Sequence, residues 1–114
     1  MRAVACQNGQ LDVVEAYDPV TNSWTLKAPA PTRRTDGVAG AINGIIYVAG
    51  GYNGTVAVPT VEAYDPVSNT WSTKAPLPTP RLLSVGVVSG GKFYVIGGYV
   101  LPSTPKSLVE IYTP

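Results

Sequence analysis

The sequence predicts an all-β fold built from repeated four-stranded antiparallel units, and three observations carry that prediction. Val-Glu-Ala-Tyr-Asp-Pro-Val runs from Val14 to Val20 and recurs from Val61 to Val67, 47 residues later. Apolar residues make up 45% of the chain and charged residues 13%, the composition of buried strands rather than of a solvated or disordered chain. No stretch has the 3.6-residue periodicity of an amphipathic helix, and 12 glycines and 11 prolines interrupt every long run.

The agreement between copies extends beyond those seven residues. Asn22 matches Asn69, Trp24 matches Trp71, and Lys27-Ala28-Pro29 matches Lys74-Ala75-Pro76. Arg34 matches Arg81, and Gly50-Gly51-Tyr52 matches Gly97-Gly98-Tyr99. A weaker third copy starts at Val109-Glu110-Ile111-Tyr112. A repeat of this length signals a unit that buries its core by stacking on its neighbours.

The copy running from about Thr35 to Pro78 can be read strand by strand. Gly37 to Ile42 is small and apolar throughout, the pattern of a strand buried on both faces. Asn43-Gly44 follows, a hairpin signal because both residues accept positive φ in a type I′ turn. Ile45 to Gly51 is a second strand, rich in β-branched and aromatic residues and ending on Gly50-Gly51. A longer connection leads to a third strand near Thr60 to Tyr64, with Val61 and Ala63 facing one way and Glu62 and Tyr64 the other. Asp65 to Asn69 is a turn, with Asp for an Asx bond, Pro66 to pre-set φ and Asn69 for a left-handed position. Thr70 to Lys74 is a more polar fourth strand, closed by Ala75-Pro76-Leu77-Pro78.

Four antiparallel strands at this period describe a propeller blade. The ordered set Gly50-Gly51, Tyr64 and Trp71, with Gly97-Gly98, Tyr17 and Trp24 in the other copies, resembles the kelch motif over nearly the whole chain. The resemblance implies an incomplete β-propeller of about two and a half kelch blades. Residues 1–32 are expected as a partial blade, 33–79 as a complete one, and 80–114 as a blade lacking its outer strand. In the first copy Ala5-Cys6 stands where the double glycine is expected, although Asn8-Gly9 matches Asn53-Gly54. Three strands, then four, then three is the expected tally.

Propellers close with about four to eight blades, so two and a half leave two apolar flanks in need of cover. A piece of a longer kelch protein accounts for them best. Copies stacked head to tail, or a stable open monomer, remain as alternatives.

Antiparallel order also fixes loop polarity. The connections from outer to next inner strand and from second to third strand share one rim, and the tight turns share the other. The divergent rim carries Arg33, Arg34 and Arg81 beside Tyr52, Asn53, Tyr99, Ser103 and Thr104, residue types suited to recognition. Arg34, Arg81, Tyr52 and Tyr99 recur with the repeat and also fit a structural role. Arg33 faces Pro80 in the next copy, so the repeat does not require it. Tyr17, Trp24, Tyr47, Tyr64, Trp71 and Tyr94 are expected between blades.

Chemistry is poorly supplied. The chain has no histidine and one cysteine, Cys6, so neither a His/Cys metal site nor an internal disulfide can form within it. Glu15, Glu62 and Glu110 recur at one repeat position and Asp18 and Asp65 at another, leaving only Asp12 and Asp36 unrepeated among the carboxylates. That set offers no acid/base pair, and no serine has a histidine partner. Some kelch-like propellers are copper oxidases or sialic acid mutarotases; the copper branch would need histidine ligands that are absent here.

A net charge of +1 gives no reason to expect nucleic acid, and no run approaches a membrane span. No signal peptide is visible, and the compartment stays open between cytoplasmic and exported. The expectation is a non-enzymatic module without cofactor that binds a protein or peptide through the divergent rim. Its flanks would meet the remaining propeller blades or copies of itself. The alternatives are part of a carbohydrate- or sialate-handling propeller, or a self-assembling structural module.

Overall fold

The computed structural model describes residues 9–100 and 104–114. Its strands are β1 Glu15–Asp18, β2 Ser23–Leu26, β3 Val38–Ile42, β4 Ile45–Ala49, β5 Val61–Asp65 and β6 Thr70–Lys74. They continue as β7 Val85–Ser89, β8 Lys92–Ile96, β9 Tyr99–Val100, β10 Thr104–Pro105 and β11 Val109–Tyr112. No described residue is helical. The fold is all-β, as the sequence predicts.

β3-β4-β5-β6 form one four-stranded sheet in sequence order, β11-β8-β7 a three-stranded sheet, and β1-β2 and β10-β9 two-stranded ones. Every pairing is antiparallel. Turn chemistry sets the register. Asn43 and Gly44 sit at φ 51° and 79°, the positive values a type I′ hairpin requires, and Ile42 faces Ile45 across them. Asp65 Oδ1 accepts the Val67 N–H at 2.9 Å while Asn69 takes φ 55°, closing β5 onto β6. Asp18 and Asn22 repeat this device between β1 and β2, with the Val20 N–H at 2.8 Å.

Counted along the chain, β1-β2 is the first sheet, the four-stranded sheet the second and the three-stranded sheet the third, and the core lies between the second and third. Ile42, Tyr47, Ala49, Val61, Ala63 and Leu77 meet Phe93 and Val95 there. Small residues allow the approach: a Cβ on Gly40 would lie 2.8 Å from Val88 Cγ2, and one on Gly86 would lie 3.0 Å from Val38 Cβ. Dense apolar contact of this kind supplies most of the stabilisation in a sheet stack.

One expectation is corrected and two are extended. The strand beginning at Gly37 is not buried on both faces, because Ala39 and Ala41 are exposed. Gly40 and Ile42 turn the alternate face of β3 to the third sheet, so only that face is covered. On β5 the expected alternation separates two buried faces, since Val61, Glu62, Ala63 and Tyr64 are all buried. The link between β8 and β11 holds a short hairpin, β9–β10, where the preceding copy has a single antiparallel bridge from Tyr52 to Ala57. Ala5-Cys6, standing where the double glycine of the first copy is expected, and Ser103 lie outside the described residues.

Candidate interaction rim

The strand registers put the turns 43–44 and 65–70 at one end of the four-stranded sheet and the longer connections at the other. At that second end the loops are tied by backbone hydrogen bonds. The Arg34 N–H donates to the Leu11 carbonyl at 3.1 Å, and Thr35 and Tyr52 exchange bonds at 3.0 and 2.8 Å. One repeat later Leu82 and Tyr99 exchange bonds at 3.1 and 2.9 Å. The Gly51 N–H donates to the Arg81 carbonyl at 2.7 Å and the Leu83 N–H to the Asp36 carbonyl at 3.0 Å, joining one sheet to the next. These pairings hold the rim as one connected platform.

The double glycines make the platform possible. Gly51 sits at φ 101°, and a Cβ there would lie 2.5 Å from the Thr35 carbonyl oxygen. Gly98 sits at φ 94°, and its Cβ would meet the Leu82 carbonyl oxygen at 2.6 Å. Only glycine permits both the dihedral and the approach.

Two of the arginines expected on the recognition surface are instead part of the frame. Arg34 Nη2 lies 2.7 Å from Glu62 Oε2, with side chains only 7% and 3% exposed, and its Nη1 donates to the carbonyls of Gly50 and Thr60. Arg81 Nη2 lies 2.8 Å from Glu110 Oε1 with none of its side chain exposed, and its guanidinium donates to the carbonyls of Gly97, Leu108 and Val95. Thr32 and Thr79 add hydroxyl bonds to the same two carboxylates, at 2.5 and 3.0 Å. Each arginine bonds the double-glycine carbonyl and the third strand at once, so neither is available to a partner. Burial pushes the Arg34 pKa down, opposed by the charge and hydrogen bond of Glu62. The guanidinium still stays cationic at neutral pH.

Arg33 is placed differently. Its Nε stands 3.8 Å from Asp12 Oδ2, and its side chain is 67% exposed. Tyr52 is half-buried and Tyr99 exposed. Asn53 is exposed, but its Oδ1 accepts the N–H groups of Thr55 and Val56 at 2.9 Å each, so it shapes its own loop. Thr104 lies in β10, paired with Val100. Among the described residues no group of three or more His, Cys, Asp or Glu side chains could hold a metal. Among the described residues no helix is long and apolar enough to cross a membrane.

The aromatic motif residues divide by position. Tyr64 is buried, its ring 5.1 Å from that of Trp71, and its hydroxyl donates to Asn69 Oδ1 at 2.7 Å. Trp71 Nε1 donates to the Ala28 carbonyl and Asn69 Oδ1 accepts the Ala28 N–H, both at 2.9 Å, so the second sheet grips the segment leaving β2. Tyr47 is buried and Tyr94 half-buried. Tyr17 and Trp24 keep the ring pair at 5.3 Å but are exposed, Trp24 by 56%, contrary to their expected burial between blades. No described segment takes for Trp24 the place that Ala28 takes for Trp71.

Leu83 was not singled out by the sequence. It sits at φ 56°, one repeat after Asp36 at φ 57°. The available signal was a leucine standing where the preceding copy has an aspartate.

Comparison with known proteins agrees with this geometry. The family model described as "Kelch motif" matches residues 33–78. Mouse Kelch-like protein 23 is 47% identical over 45 residues, 40% of this chain and 8% of the relative. Rat Kelch-like protein 24 is 50% identical over 40 residues, 35% of this chain and 7% of the relative. The chain thus matches less than a tenth of the length of these relatives. A solved structure titled "Structure of YjhT" superposes with a TM-score of 0.68 at 21% identity, over 86% of this chain and 37% of the other. Repeated antiparallel sheets, double glycines locked beneath the rim loops, and the Tyr–Trp pair agree with the kelch motif matched at residues 33–78 and with the fold of a kelch-repeat β-propeller.

Proposed function

We propose that this chain is a non-enzymatic interaction module that contacts a protein or peptide through the rim carrying Arg33, Tyr52, Asn53 and Tyr99. The observation that carries this reading is the exposed Arg33, at a position the repeat does not require, on a platform pinned by backbone bonds. A rigid platform loses little conformational freedom on binding, and arginine and tyrosine are enriched at protein interfaces. Residues 1–32, 33–79 and 80–114 are the blade units of this reading. Its open flanks would meet further blades or copies of the chain. No cofactor is called for.

The test is chemical cross-linking and affinity capture with the chain and with the double variant Arg33→Ala/Tyr99→Ala. The variant should melt within a few degrees of the unaltered chain and lose the proteins that the unaltered chain captures specifically. Equal capture by both would overturn the rim assignment.

A further inference from the structure

Among the described residues, five non-glycine positions hold a positive φ: Asn22, Asp36, Asn43, Asn69 and Leu83. Four are Asn or Asp, whose short polar side chains tolerate the left-handed region. A leucine there is an outlier, since its Cβ crowds the following carbonyl. Asp36 and Leu83 are one repeat apart, and the Leu83 N–H bonds the Asp36 carbonyl at 3.0 Å, so the two stand side by side.

The strain at Leu83 is not offset by packing, because Leu83 is 56% exposed. Nor does its exposure come from a missing neighbour. Asp36 holds the same position in the sheet that lies between the other two, and it is exposed as well. The position faces solvent on the rim. Asp36 also carries no ion pair among the described residues: Arg34 is taken by Glu62 and Arg33 lies by Asp12, leaving only a bond from Thr35 Oγ1 at 3.1 Å. An exposed aliphatic side chain held in a strained backbone therefore adjoins an unpaired carboxylate.

We infer that Leu83 and Asp36 form a two-point anchor for a protein segment presenting an apolar side chain beside a lysine or arginine. The apolar residue covers Leu83 and the cation pairs with Asp36. Backbone strain unrelieved within a fold is a common mark of binding positions, and buried aliphatic contacts beside a charge pair give both affinity and register. The inference rests on the rim being the binding surface and specifies the chemistry of what binds there.

The experiment selects a randomised 12-residue peptide library, displayed on phage, against the 114-residue chain. The selected sequences are then measured as synthetic peptides against Leu83→Asn, Asp36→Asn and Arg33→Ala/Tyr99→Ala. Asparagine is at home at positive φ, so Leu83→Asn should melt at the same temperature as the unaltered chain or higher. The selected peptides should share an apolar residue adjacent to Lys or Arg, and should lose at least about tenfold in affinity on either single variant. A lower melting temperature for Leu83→Asn would make Leu83 a packing residue and overturn the inference. So would an acidic consensus, affinities unchanged by both single variants, or a library that yields no binder. Peptides weakened only by the Arg33/Tyr99 variant would leave the rim standing and remove the anchor; peptides unaffected by every variant would remove both.

Discussion

Arg81 lies 2.8 Å from Glu110 with its side chain wholly out of water, one repeat after Arg34 makes the equivalent contact with Glu62 at 2.7 Å. Each pair ties the lead-in of an inner strand to the third strand of the same sheet and to the double-glycine carbonyl. A buried pair of this kind tolerates loss of both charges better than loss of one. Glu62→Ala should therefore cost about 3 kcal/mol or more, a fall in Tm on the order of 10 °C. The double replacement Arg34→Met/Glu62→Leu should recover much of that loss. Arg33→Ala should leave the chain within about 0.5 kcal/mol, because its contact with Asp12 is long and exposed. Thermal unfolding followed by circular dichroism measures all three.

The glycines separate strain from crowding. Gly44→Ala meets nothing within 4 Å, so it should cost about 1 kcal/mol through its positive φ alone. Gly51→Ala adds a Cβ 2.5 Å from the Thr35 carbonyl oxygen and should cost at least about 3 kcal/mol, or prevent folding. Urea denaturation of the two variants in parallel gives the difference.

The two tryptophans hold equivalent repeat positions but unequal bonds. Trp71→Phe removes the indole bond to the Ala28 carbonyl and should cost about 1 kcal/mol or more. Trp24→Phe removes no described hydrogen bond and should stay within about 0.5 kcal/mol. Equal losses in denaturant titrations would mean that the grip on Ala28 contributes nothing.

Burial pushes the Tyr112 pKa up, and the neighbouring Tyr47, its ring 5.3 Å away, adds to the effect. The unfolded chain then gives up this proton first, so the folded state holds more protons above the ordinary tyrosine range, near about pH 10. Stability is unaffected below that range and falls as pH rises through it. Tyr112→Phe should make the alkaline fall shallower, measured as Tm between neutral pH and pH 11.

Much of the fold was legible because its devices are local. Asn43-Gly44, Asp65 to Asn69 and the double glycines each need a particular residue type at a particular dihedral, and such requirements show in the sequence. The arginines were ambiguous for a different reason. Recurrence marks Arg34 and Arg81 as equivalent but does not say which way a long side chain turns. The fuller signal was that Glu62 and Glu110 recur with them, 28 and 29 residues after their arginines. Burial of the aromatic set failed at Tyr17 and Trp24, since cover between sheets depends on a neighbour and not on the repeat itself. Leu83 stayed hidden because an exposed leucine is ordinary until its backbone is known.

The unequal settings of Trp24 and Trp71 give the molecule two built-in optical reporters. Trp71, bonded to Ala28 at the boundary of two sheets, should emit toward the blue and resist a dissolved quencher such as iodide. Trp24, half in water, should emit toward the red and be quenched readily. Anything that settles against the first sheet would silence the quencher's access to Trp24 while leaving Trp71 unchanged. Docking on that flank could then be distinguished from docking on the rim without labelling the protein.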